Sequence, residues 1–160
     1  TYIEQVIATK RGHGAERILV KFTFANNILW RSVYAFNNKY YVDAIHLSNF
    51  SNPRLIEGLE VKMIDEDVIF PELRKNSQQR KDIKRFSYFS QSYIYIYPYN
   101  KKIIADLRYS HLPNDANSLW GIEIDSYRQS EHVNFRNLRK FDSNFFQRFW
   151  KMLNDFQIDN

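Results

Sequence analysis

The stretch Ile28-Leu29-Trp30-Arg31-Ser32-Val33-Tyr34-Ala35-Phe36, then Asn37-Asn38, then Lys39-Tyr40-Tyr41-Val42-Asp43-Ala44-Ile45-His46-Leu47 decides the fold class. Both arms are rich in β-branched and aromatic residues. Asn tolerates the positive φ that a type I′ turn demands, so the pair of Asn predicts a tight antiparallel hairpin. In the first arm Ile28, Trp30, Ser32, Tyr34 and Phe36 share one face, and Leu29, Arg31, Val33 and Ala35 share the other. Both faces are largely apolar, which sets this arm in the interior of a sheet.

Working outward, Ile18 to Phe24 alternates enough for a further strand, and Ile3, Val6 and Ile7 fall at helical spacing within Thr1 to Lys10, ahead of Gly12 and Gly14. Ser48 to Pro53 reads as a loop and Arg54 to Phe70 as a weak segment. Pro71-Glu72-Leu73 is a helix start with Pro in its first turn. Tyr93, Tyr95, Tyr97 and Tyr99 alternate with Ile94, Ile96 and Pro98, the period of a strand, and Asn100-Lys101 turns the chain into Lys102 to Tyr109. After a polar loop, Ser110 to Ser118, comes a strand from Leu119 to Asp125. Asp142 or Ser143 then caps a helix striped by Phe145, Phe149, Met152 and Phe156. Few crossovers and many short turns favour an α+β fold over a doubly wound one: an antiparallel sheet of about five to six strands with helices packed on one side. Residues 1–160 read as a single soluble domain.

Composition narrows the chemistry. The chain has 160 residues, 27 of them aromatic, eight Gly plus Pro, no Cys and a formal charge of +5, so it is neither disordered nor disulfide-stapled and has no thiolate site. Its longest charge-free stretch, Phe86 to Asn100, is 15 residues and rich in Tyr, whereas a membrane span needs about 20 apolar residues. The chain opens at Thr1 without an initiator Met, which reads as a fragment. His13, His46, His111 and His132 are scattered singly, and no nucleophile elbow or phosphate loop is present, so no metal site is expected from this domain. Asp65-Glu66-Asp67 reads as a solvated acidic turn.

Two constellations remain. Arg74, Lys75, Arg80, Lys81, Lys84 and Arg85 hold most of the positive surplus. They are read as a solvated helix face, as a surface for anionic lipid, or, beside the tyrosines, as a nucleic-acid-binding module. Asp106 and Arg108 stand two residues apart, on one face if the segment is a strand. If buried they must pair, as a register-fixing ion pair or as a polar pocket for an anionic group that Arg31 could join. Asp106 as a general base in an enzyme of its own is a third reading.

Asn26, Leu29-Trp30-Arg31, Phe89-Ser90-Gln91-Ser92-Tyr93 and Asp106-Leu107-Arg108-Tyr109, taken in order, resemble the C-terminal soluble portion of the bacterial membrane-bound (inner-membrane) metal-dependent hydrolase family. The resemblance covers Arg11 to Asp125; the aromatic tail from Ser126 to Asn160 lies outside it. Phe22 and Phe24 stand where that family tends to have Pro, and Ser92 where it tends to have Gly. The resemblance implies a non-catalytic regulatory or substrate-presenting appendage. Its partners would be its own upstream transmembrane segment and an anionic lipid surface, on the cytoplasmic face of the inner membrane. Any divalent metal would sit in the upstream membrane part, with no cofactor in this domain. A ligand pocket here would use Arg31, Asp106 and Arg108, framed by Trp30 and Asn26.

Overall fold

The computed structural model describes residues 8–9, 11–23, 26–47, 53–140 and 143–154. The N-terminal helix expected over Thr1 to Lys10 lies outside the described residues except for Ala8 and Thr9, which are helical. The fold is α+β, but its strands form two sheets of four and not one sheet of five to six. The chain divides into two compact units: residues 1–61, 111–115 and 141–160 form the first, and 62–110 with 116–140 form the second.

In the first unit β1 (Arg17–Phe22), β2 (Leu29–Phe36), β3 (Lys39–His46) and β4 (Arg54–Lys62) lie side by side in chain order. The β2–β3 hairpin closes at Phe36 opposite Lys39, with Asn37 and Asn38 at φ 52° and 60°, the backbone a type I′ turn needs. Leu29 and Ala44 pack on one face of the sheet with Leu112, Ile56 and the helix Phe145–Asn154. Ile45 and Leu47 pack with Trp30 and Leu55 in a separate cluster. A Cβ on Gly58 would come within about 2 Å of the Val42 carbonyl oxygen, so only glycine lets β4 approach β3 there.

In the second unit the order is β5 (Ile94–Ile96), β6 (Ile103–Asp106), β7 (Trp120–Glu123) and β8 (Asn134–Asn137), all neighbours antiparallel. Helix α1 (Gln78–Phe89) places Ile83 and Phe86 on Ile94, Ile104 and Ile122. Ser77 caps α1, accepting the Arg80 N–H at 3.2 Å, so the helix begins seven residues after Pro71, and the segment between is a run of turns. The second helix, α2, is Phe145–Asn154; Asp142 and Phe156 lie outside the described residues.

The two strands that sequence periodicity misses are edge strands. In β8 all four residues are exposed, and most of β4 is exposed or half-exposed. An edge strand is held by its backbone ladder, so it needs no apolar alternation to exist.

Candidate functional site

Asp106 ends β6, and the next two residues turn. Arg108 therefore meets Asp106 through a turn and not by sharing a strand face: its own N–H donates to Asp106 Oδ1 at 3.0 Å, as in an Asx-turn. The guanidinium closes a fork on the same carboxylate, Nε to Oδ1 at 3.0 Å and Nη2 to Oδ2 at 2.7 Å. Trp120 Nε1 adds a bond to Oδ2 at 3.2 Å. Asp106 is fully buried and Arg108 nearly so. Hydrogen bonding to Asp106 raises the Arg108 pKa, with burial opposing, so the guanidinium stays charged. The guanidinium also lies 5.2 Å from the Phe89 ring centre and 5.3 Å from that of Tyr109. Beneath it, Ser118 Oγ donates to the Asp106 carbonyl at 2.6 Å and meets the Tyr95 hydroxyl at 3.0 Å. A carboxylate with this many donors has little lone-pair capacity left for a metal.

The remaining residues of the expected pocket belong to the first unit. Arg31, buried on β2, donates through Nη1 to the carbonyls of Pro113 and Asp115 at 2.8 Å each. It thereby ties residues 111–115 to the sheet. Asn26 Oδ1 accepts the backbone N–H groups of Ile28 and Leu29, so its side chain shapes the entry into β2. Trp30 donates its indole N–H to the Asn27 carbonyl at 2.9 Å. The tryptophan hydrogen-bonded to Asp106 is Trp120, on β7, and not Trp30.

The basic run separates into three kinds of residue. Arg80 is buried and donates to the carbonyls of Glu66, Ile69 and Phe70 at 2.6–2.9 Å, pinning a loop in which Phe70 sits at φ 57°. Lys84 pairs with Asp67 at 2.6 Å and Arg85 with Asp82 at 3.2 Å. The Lys84 bond holds the Asp67 carboxyl below its ordinary range and raises the Lys84 ammonium. Arg74, Lys75 and Lys81 are exposed. Of the four alternating tyrosines, Tyr93 and Tyr95 are buried, so the row does not form an open stacking face for bases.

Two further groupings carry no signal in local spacing. Asp43, buried on β3, receives a fork from Arg11 at 2.7 and 3.2 Å and the Gly58 N–H at 3.1 Å. The Tyr34 hydroxyl, 2.9 Å from His13 Nδ1, accepts from Arg11 at 3.1 Å. Burial pushes the Tyr34 hydroxyl pKa up, against the pull of Arg11. Burial by itself would lower the Arg11 pKa, but the bonds to Asp43 and Tyr34 outweigh it and the net change is upward. His13 is stacked on Phe36 at 4.4 Å. Gly12, at φ 71°, makes the turn that brings both side chains onto the sheet. In the second unit, buried Asp82 accepts His132 Nδ1 at 2.8 Å and the Val133 N–H at 3.1 Å.

An open cleft of about 230 Å³ is lined by Ile56, Asn114, Arg148, Lys151 and Met152. Asn114 Oδ1 is buried there with no hydrogen-bond partner among the described residues, while Nδ2 donates to the Glu57 carbonyl at 3.3 Å. Among the described residues, no three His, Cys, Asp or Glu side chains come together in a way that could hold a metal ion. No described helix is long and apolar enough to cross a membrane. No family model, curated protein or solved structure matches the chain, so its functional reading rests on the residues themselves.

Proposed function

We propose that this chain is the non-catalytic, water-exposed portion of a membrane-bound, metal-dependent hydrolase, regulating the membrane part or presenting substrate to it from the cytoplasmic face. The observation that carries the reading is the closure of Asp106-Leu107-Arg108 on itself. The residues behind the family resemblance form a fully buried carboxylate fork bonded by Arg108 and Trp120. A general base needs a free lone pair and a path for water, and Asp106 is fully buried with its oxygens already accepting. Such a motif shapes a lobe and leaves the reactive metal to another part of the protein.

Isothermal titration of the chain with Zn²⁺, Mn²⁺ and Mg²⁺ tests the reading, and the expected result is no tight stoichiometric binding. A tight site here would assign the metal to this portion and overturn the proposal. The reading also requires apolar spans of about 20 residues in the intact gene product upstream of Thr1. A gene product without them removes the membrane partner.

A further inference from the structure

The four histidines differ in what holds them. His46 is buried, with Nε2 3.0 Å from the Leu153 carbonyl oxygen. His111 is half-buried beside Phe145, and His13 is half-buried on Phe36 with Nδ1 at the Tyr34 hydroxyl. His132 keeps 71 % of its side chain in water, and its Nδ1 lies 2.8 Å from Oδ2 of buried Asp82. Helix α1 supplies that carboxylate from the flank that also carries Gln78 and Arg85. The Gln78 amide donates to Oδ1 at 2.9 Å, Arg85 Nη1 to Oδ1 at 3.2 Å, and the Val133 N–H to Oδ2 at 3.1 Å. Each of these three is a donor, so Asp82 accepts on both oxygens and His132 Nδ1 is its fourth donor. That fixes the tautomer of the neutral ring: Nδ1 carries the proton, and the lone pair is on Nε2. Among the described residues nothing is hydrogen-bonded to Nε2. A carboxylate behind Nδ1 makes Nε2 more basic and stabilises the positive ring that forms when Nε2 makes a bond.

We propose that Nε2 of His132 is a phosphoryl acceptor, taking the group from an N-phosphoryl donor such as a phosphoramidate. The Nε2 lone pair attacks phosphorus and the P–N bond of the donor breaks. With phosphoramidate in its ammonium form, the nitrogen leaves as ammonia with the hydrogens it already holds. The ring becomes cationic, and its Nδ1 proton stays in the hydrogen bond to Asp82. The surroundings select this chemistry over two others. A metal ion needs several ligands, and among the described residues no three His, Cys, Asp or Glu side chains gather to hold one. A general base works on a substrate seated in a pocket, whereas this ring stands in open water, where a donor reaches it. The charges suit an anionic donor. Arg85, bonded to the same carboxylate, keeps 71 % of its side chain in water, and Lys81 is exposed one helical turn before it. The adjacent acid, Glu131, lies 3.7 Å from Arg128. The second unit carries the whole surplus of Lys and Arg over Asp and Glu in the chain. The membrane reading above involves neither His132 nor Asp82, so the two stand or fall apart.

The test is incubation of the folded chain with potassium phosphoramidate at neutral pH, with the adducts mapped by mass spectrometry and followed by phosphorus NMR. The expected result is one acid-labile phosphoryl group, on Nε2 of His132, formed about tenfold faster than on N-acetylhistidine under the same conditions. In the urea-unfolded chain that advantage should vanish and the four histidines should react alike. Nitrogen NMR of the unmodified ring should show the proton on Nδ1. Asp82→Asn turns an amide N–H toward Nδ1 and moves the ring proton to Nε2. The rate should then fall about tenfold with the circular-dichroism spectrum retained. A rate equal to that of N-acetylhistidine overturns the proposal and leaves His132 as a staple between residues 132–133 and α1. A wild-type ring protonated on Nε2, or a phosphoryl group on Nδ1, overturns it as well, whether or not the variant folds. So does a folded Asp82→Asn chain that reacts at the wild-type rate.

Discussion

Among the described residues, each compact unit sets a helix of ten or twelve residues against a four-stranded sheet, yet these two helices distribute their side chains in opposite ways. α1 belongs to the basic run and buries Gln79, Arg80, Asp82 and Ser87 alongside Ile83 and Phe86. α2 is largely aromatic and fully buries only Met152, leaving Phe146 and Trp150 to solvent. One member of the charge run, Arg80, therefore becomes internal framework, and two rings of the apolar stripe, Phe146 and Trp150, become surface. Long cationic side chains go inside when carbonyls or carboxylates meet their donors, as at Arg80 and Arg108. Apolar rings stay outside when a helix has more of them than its sheet has room for. The exposed apolar stripe is then the more informative functional signal.

The strongest challenge to this contrast is Asp106→Asn, which leaves the buried Arg108 guanidinium without its counter-charge. Urea denaturation should show a loss of about 3–5 kcal/mol, largely recovered when Arg108→Met is added. A loss below about 1 kcal/mol would mean the fork is not a structural anchor. Arg80→Met should follow at about 2–3 kcal/mol, because the carbonyls of Glu66, Ile69 and Phe70 lose their shared donor. Arg148→Met, on the exposed side of α2, should cost under about 0.5 kcal/mol. Equal effects at the two arginines would erase the difference between the helices.

In the first unit, Tyr34→Phe should cost about 1 kcal/mol near neutral pH by removing the hydroxyl shared by Arg11 and His13. The folded Tyr34 pKa is raised above its ordinary 10.0, so the folded state holds that proton more tightly than the unfolded chain. Its stabilisation is complete below pH 10 and is lost as pH rises through the folded value. The variant should therefore show a shallower alkaline loss of stability in denaturation measured from pH 8 to 11.

Ser92→Gly tests the exit from α1. Gln91 and Ser92 both adopt positive φ, 52° and 59°, where a Cβ is strained. Glycine at 92 should raise stability by about 1 kcal/mol, seen as a higher denaturation midpoint. The smallest expected effect is that of Trp150→Ser on folding, within about 0.5 kcal/mol, since that ring is half in solvent. A large loss would show that the ring is a packing residue after all.

Legibility differs between fold and site. The Asn37-Asn38 hairpin was readable because the turn chemistry and both flanking patterns are local. The positive φ of Ser92 was not legible, because a Ser in that position carries no local signal for left-handed backbone. The Asp106–Arg108 pairing was visible from spacing, though a turn creates it. Trp120 as its third member, the Arg11–Asp43–Tyr34–His13 cluster and the division of the basic run were not visible. Each joins residues far apart in the chain, and no periodicity encodes which cation finds a carbonyl.

Composition and local pattern alone determined an α+β chain with antiparallel hairpins, no thiol chemistry and a positive surplus, because strand alternation and turn propensity act over a few neighbouring residues. Tertiary structure alone decided that there are two sheets, that Arg80 is internal and that Phe146 and Trp150 are outside. Those outcomes depend on how much apolar area each sheet can cover and on which buried donors meet acceptors. Both are properties of packed surfaces and not of neighbouring residues.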